Sequence, residues 1–136
     1  MTEKLRRVQV KTQSPDFPVH AEAVHIGPDV LVFIWGGERP HIGAVAAAQP
    51  RASLAEEDTR SATASVLTFL GHKEDEVVKY ASERLAAALN THVVVTAGIH
   101  WDDLTPEAIR CIRERCREVV HLLIEKLATN NSRPGD

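Results

Sequence analysis

Six consecutive apolar residues, Val30-Leu31-Val32-Phe33-Ile34-Trp35, closed by Gly36-Gly37, constrain this chain more than any other feature. Their β-branched and aromatic content suits a strand, and the lack of polar alternation predicts burial on both faces. Such a strand belongs at the centre of a sheet, and the flanking sequence supplies neighbours. Leu5 to Lys11 alternates weakly. Val19 to Ile26 alternates too and is bracketed by Pro15, Pro18, Gly27 and Pro28. His41 to Ala48 follows a short Gly-Gly-Glu-Arg-Pro connection, which predicts a hairpin with the central run. Ala64 to Leu70 and Val93-Val94-Val95 read as further strands. Between them, Gln49 to Thr63 is polar and without period, and is expected to be a flexible loop, a candidate lid.

Two segments carry helical spacing. In Lys73 to Leu89, the residues Val77, Ala81, Leu85 and Ala88 define one face, and Asn90 is a left-handed stop. Thr105 is the cap of the second helix, Pro106 its first residue and Glu107 the acid of its first turn. Its stripe is Ile109, Ile112, Cys116, Val119, Leu123 and Leu127, and the tail Asn130 to Asp136 is expected to fray. Strands first and helices later indicate an α+β layered domain with a mainly antiparallel sheet and two helices. We read residues 1–136 as a single domain with its core over about 5–128.

Hydrophobic residues at 43% and charged residues at 26% exclude a disordered or collagen-like chain. A net charge of −3 offers no basic footprint for nucleic acid. No apolar stretch approaches the ~20 residues that cross a bilayer, and the start MTEKLRRVQV has no apolar signal core. The expected location is cytoplasmic, without nucleic-acid or membrane partners. Cys111 and Cys116 lie on one helix about 140° apart, which suits neither a disulfide nor a shared metal; Cys116 falls on the buried stripe.

Three strand-end segments break the ordinary pattern. In Trp35-Gly36-Gly37-Glu38-Arg39-Pro40-His41-Ile42-Gly43, the glycine pair is a turn, or it frames a space kept open by Gly43 and the alanines after it. Trp35 is a core residue or a stacking face. In Gly71-His72-Lys73-Glu74-Asp75, a helix begins directly after a strand. Its unpaired N–H groups, His72 and Lys73 make a phosphate site, or Gly71 eases a turn and Lys73 is solvated. In Ala97-Gly98-Ile99-His100-Trp101-Asp102, His100 orients a ligand, titrates, or satisfies a loop carbonyl. His41, His72 and His100 show no metal-ligand spacing, and no nucleophile motif is present.

These three ordered motifs resemble the small LpdD-type accessory proteins of UbiD-like decarboxylases, with the likeness running from about Val8 to Leu127. The resemblance implies a proteasome-assembly-chaperone-like fold and a homodimer. It implies a non-enzymatic chaperone for prenylated FMN (or FMN), delivered to the large subunit of a decarboxylase acting on hydroxyarylic acids. The cofactor-binding set is then Trp35, Gly36, Gly37, His41, Gly43, Gly71, His72, Lys73 and His100, with no catalytic residues and no metal. Gly71-His72-Lys73 would take the phosphate, Trp35 and the residues near Gly43 the ring, and His41 and His100 the pyrimidine edge or ribityl hydroxyls. The alternatives are a structural or regulatory subunit of the decarboxylase complex, or a small flavin- or metal-dependent enzyme.

Overall fold

The computed structural model describes residues 5–53, 59–69 and 74–131. The elements run β1 (Arg7–Lys11), β2 (Val19–Ile26), β3 (Asp29–Gly37), β4 (Ala44–Ala52), β5 (Arg60–Thr68), α1 (Asp75–Leu89), β6 (Val93–His100) and α2 (Pro106–Asn131). One sheet takes all six strands in the order β1-β2-β3-β6-β4-β5. Only β3 and β6 pair in parallel, so the sheet is mixed but mainly antiparallel, as expected.

Both helices cover the same face. α1 packs on β4, β5 and β6, α2 on β1 and β2, and the two helices touch. The buried core draws alternate residues from the middle strands: Val30, Val32 and Ile34 of β3, Ala44, Ala46 and Ala48 of β4, and Val93, Val95 and Ala97 of β6. Helical side chains close it, chiefly Val78, Leu85, Val119, Leu123 and Leu127. The alanines of β4 let α1 approach the sheet closely, and larger side chains on α1 fill the gap.

The structure revises four expectations. First, β3 and β4 form no hairpin, because β6 lies between them. Local sequence cannot reveal a late strand inserted into an early sheet. The connection at residues 38–43 therefore crosses the end of β6. Second, β4 and β5 stay paired out to Ala52 and Arg60, so the ladder takes in much of the segment expected to be a loop; residues 54–58 lie outside the described residues. Third, β3 is buried on one face only. Leu31, Phe33 and Trp35 are half-buried, because neither helix lies over their side of the sheet. Fourth, the buried face of α1 centres on Val78, Ala81, Ser82 and Leu85, while Val77 is half-buried and Ala88 exposed. The helix faces α2 as well as the sheet, which rotates the stripe by one position. The caps are as read: Asn90 has φ 54°, and the Thr105 hydroxyl accepts the Ala108 amide at 3.1 Å.

Gly98 marks the crossing. A Cβ there would stand 1.6 Å from the His41 carbonyl oxygen, a contact with backbone that no rotamer relieves. Gly98→Ala is expected to destabilise the fold by about 2 kcal/mol or more, read as a lower urea midpoint. An unchanged midpoint would show that the crossing strand yields easily.

Candidate functional site

The 38–43 connection is held to the end of β6 by backbone bonds. The His100 carbonyl accepts the Glu38 amide at 2.8 Å, and the Ala97 carbonyl accepts the Gly43 amide at 2.8 Å. Gly37 sits at φ 90°, and a Cβ there would lie 2.1 Å from the His100 carbonyl oxygen. Gly36-Gly37 is therefore not the turn of a β3–β4 hairpin; the glycines make room for another backbone, letting the crossing chain lie flat on β6.

Glu74, just before α1, projects into this junction with only 11% of its side chain exposed. Its Oε1 lies 3.0 Å from His41 Nε2 and 3.4 Å from the Ile99 amide nitrogen. His41 Nδ1 donates to the Arg39 carbonyl at 2.9 Å. With that nitrogen protonated, the contact at Nε2 is favourable only when imidazole and carboxyl share a further proton. The approach is close but off hydrogen-bond alignment, and Glu74 Oε2 has no hydrogen-bond partner among the described residues. A Cβ on Gly43 would meet Oε2 at 2.2 Å. The space inferred beside Gly43 is thus real, but it is filled by the Glu74 carboxylate.

Next to this buried pair is a solvent-exposed one. Asp102 takes both His100 Nε2 at 2.8 Å and the Arg39 guanidinium at 3.1 and 3.3 Å. The bond from His100, helped by Arg39, holds the Asp102 carboxyl below its ordinary range. Among the described residues, no three histidine, cysteine or acidic side chains converge as a metal site.

A cavity of about 460 Å³ opens between α1 and α2 at the end of β6. Its lining includes Glu74, Ile99, His100, Trp101 and Cys116, together with Tyr80, Arg113 and Arg117 of the two helices. Trp101 is further braced edge-on by Phe17, 5.2 Å between ring centres. The guanidinium carbons of Arg84, which is not part of the lining, and of Arg117, which is, stand 5.9 and 5.7 Å from the Tyr80 ring centre.

The structure brings His41, Gly43 and His100 to one junction, with Gly36 and Gly37 supporting it. Gly36 would meet Trp101 through a Cβ at 3.5 Å. Trp35 is elsewhere: it points to the sheet face away from the helices and stacks on His20, 5.3 Å between ring centres at 9°. Gly71, His72 and Lys73 lie outside the described residues. Sequence reasoning missed Tyr80, Trp101, Arg113 and Arg117 as lining residues, and Glu74 as the buried acid. Trp101 and Glu74 stood inside the motifs. The arginines gave one faint signal, a four-residue repeat of cations beside the buried stripe of α2.

Burial pushes the Cys116 thiol up to about 12, with the Glu74 charge adding to it. Cys111 is half-buried on the same helix. A thiol reagent at pH 8 is expected to titrate Cys111 in the native chain and Cys116 only after denaturant is added. Because the raised thiol keeps its proton in the folded chain, its contribution to stability is full below about pH 9 and is lost as pH rises toward 12. Cys116→Ala should flatten that alkaline fall. Two fast-reacting native thiols would contradict the burial.

Among solved structures, one from a crystal structure of a novel chaperone complex for yeast 20S proteasome assembly matches with a TM-score of 0.58 at 10% identity, covering 92% of this chain and 96% of that one. At that identity the likeness shows the fold, which is the one the motifs implied. A search of curated proteins finds no match. The family model described as prenylated flavin chaperone LpdD-like domain matches residues 13–128, nearly the whole layered core and every described part of the junction. The chain belongs to the prenylated flavin chaperone LpdD-like family.

Proposed function

We propose that this protein is a carrier. It binds prenylated FMN, in the reduced form, in the cavity between α1 and α2, and delivers it to a UbiD-like decarboxylase that acts on hydroxyarylic acids. It performs no chemistry on the cofactor. The observation that carries this reading, beside family membership, is the cavity itself. Its volume of about 460 Å³ falls in the ~300–1,000 Å³ range of cofactor sites. Its walls are mostly apolar and aromatic, with Glu74, Glu76, His100, Arg113 and Arg117 as the polar members. Trp101 and Tyr80 provide flat faces for a ring system. On this reading His100 and Glu74, two polar members of the lining, meet the pyrimidine edge or ribityl chain, with His41 behind Glu74. Gly36, Gly37 and Gly43 shape that end without touching the ligand. A carrier has to let go, and a site between two helices with one open side can do so.

The same reading includes a homodimer. Support comes from the sheet face that no helix covers, where Leu31, Phe33, Trp35, Val45, Val94 and Leu67 run across neighbouring strands; Leu67 is 76% exposed. A contiguous apolar patch of this kind calls for a partner. Charge at its centre, Phe33→Glu, is expected to halve the mass in sedimentation while the circular dichroism stays native. A wild-type chain that sediments as a monomer at micromolar concentration would count against the dimer.

Uptake and transfer are testable together without oxygen. Purified chain mixed with reduced prenylated FMN should retain the flavin through gel filtration and restore activity to an apo-decarboxylase. Trp101→Ala is expected to weaken uptake about tenfold, the order of a lost aromatic contact and its buried area. No retention, or retention without transfer, would defeat the carrier reading, and the second result would indicate a subunit that stays in place.

A further inference from the structure

Three non-glycine residues among those described hold a positive φ: Phe17 at 48°, Asn90 at 54° and Asp103 at 55°. Asn90 ends α1, and asparagine and aspartate tolerate the left-handed region. Phe17 is bulky, and Pro18 after it favours extended backbone, so its conformation is strained on both counts. Such strain persists only where the surroundings impose it. Here the β1–β2 loop, residues 12–18, is tied at two levels. Thr12, buried, closes its base: its amide donates to the Val19 carbonyl and its hydroxyl accepts the Val19 amide, both at 3.0 Å. α2 holds the middle. Arg115 donates through Nε to the Asp16 carbonyl at 3.0 Å and through Nη2 to the Ser14 hydroxyl at 3.1 Å, and Glu118 Oε2 accepts the Gln13 amide at 2.8 Å. The strap ends with the Phe17 ring at 88° to Trp101. A perpendicular ring fixes the plane of its partner while covering no more than one of its faces. Gly36 leaves room at the same corner: a Cβ there would stand 3.0 Å from the Pro18 carbonyl oxygen and 3.5 Å from Trp101 Cη2. No residue of the loop lines the cavity, so the loop reaches it only through Trp101.

We propose that Phe17 is a positioning residue: fastened to α2 by Arg115 and Glu118, the β1–β2 loop seats Phe17 against Trp101 and so sets the plane of the indole on which a ligand's ring stacks in the cavity. This rests on the flavin-carrier reading. It gives the strained backbone at Phe17 a purpose that the fold alone does not require.

The test uses the full chain without oxygen, with reduced prenylated FMN as the probe. Phe17→Leu keeps an apolar side chain and loses the ring. It is expected to weaken uptake about fivefold, the scale of an aromatic pair, while Phe17→Tyr retains it. Arg115→Ala cuts the strap from the other side, is expected to weaken uptake to a similar extent, and serves where Phe17→Leu loses its fold. In a Trp101→Ala chain neither change should weaken uptake further. A second readout needs no ligand. With Trp35→Phe in place, Trp101 is the sole tryptophan, and its near-ultraviolet circular dichroism should fall in Phe17→Leu and Arg115→Ala and persist in Phe17→Tyr. If Phe17→Leu binds flavin as the wild type does, adds its full loss to that of Trp101→Ala, or leaves the Trp101 signal intact, the positioning role is wrong while the carrier reading stands. If wild-type protein binds no flavin, both fall.

Discussion

Everything at the site depends on β6 being slotted between β3 and β4. A strand added late in the chain separates two strands made early, so the 38–43 connection has to pass over its end. Two backbones then lie closer than side chains permit. Glycine answers this twice on β6 and its approach, at Gly98 under the His41 carbonyl and at Gly37 over the His100 carbonyl. The crossing carries His41 to Glu74 and Arg39 to Asp102, beside His100, which ends β6 and lines the cavity. The residues that look like a motif in the sequence are largely the residues of this crossing.

The buried Glu74 is the costly part. A carboxylate that is nine-tenths buried loses most of its hydration, and one close histidine off hydrogen-bond axis compensates incompletely. A hydrophobic residue would give a more stable junction. Gly43 meanwhile leaves the volume this carboxylate occupies, so the position is built to receive it. A polar group kept at such expense beside a cavity is where local stability has been given up, and sites of function are where that happens. The raised Cys116 thiol is a by-product of the same charge and the same burial.

Local rules carried the sequence reading a long way. Proline and glycine punctuation placed β2 within its observed limits, Thr105 and Pro106 set the start of α2, and Asn90 set the end of α1. Described parts of the motifs meet at the crossing: Gly37, His41 and Gly43 of the first, Glu74 beside the second, and Gly98 and His100 of the third. What failed was non-local. The β3–β4 hairpin was excluded by a strand more than forty residues away, which no turn residue announces. Trp35 reads in the sequence as a stacking face beside the small residues from Gly43, yet adjacent residues of a strand face opposite ways and it stacks on His20, while Trp101 lines the cavity. Arg84 and Arg117 sit on helix flanks, where a cation is ordinary, and only the packing of α1 against α2 brings them to one ring.

The two faces of the sheet suggest how a domain this small can serve as a carrier. The helix-covered face invests its apolar surface in the core and keeps one wedge open between α1 and α2. The bare face leaves Leu31, Phe33 and Leu67 for the second copy of the chain proposed above. These functions are mechanically linked, because β3 supplies both Phe33 to the bare face and, two residues beyond Trp35, Gly37 to the crossing. β3 therefore joins the uncovered face to the crossing that frames the cavity, and Gly37 and Gly98 keep that join free of side chains.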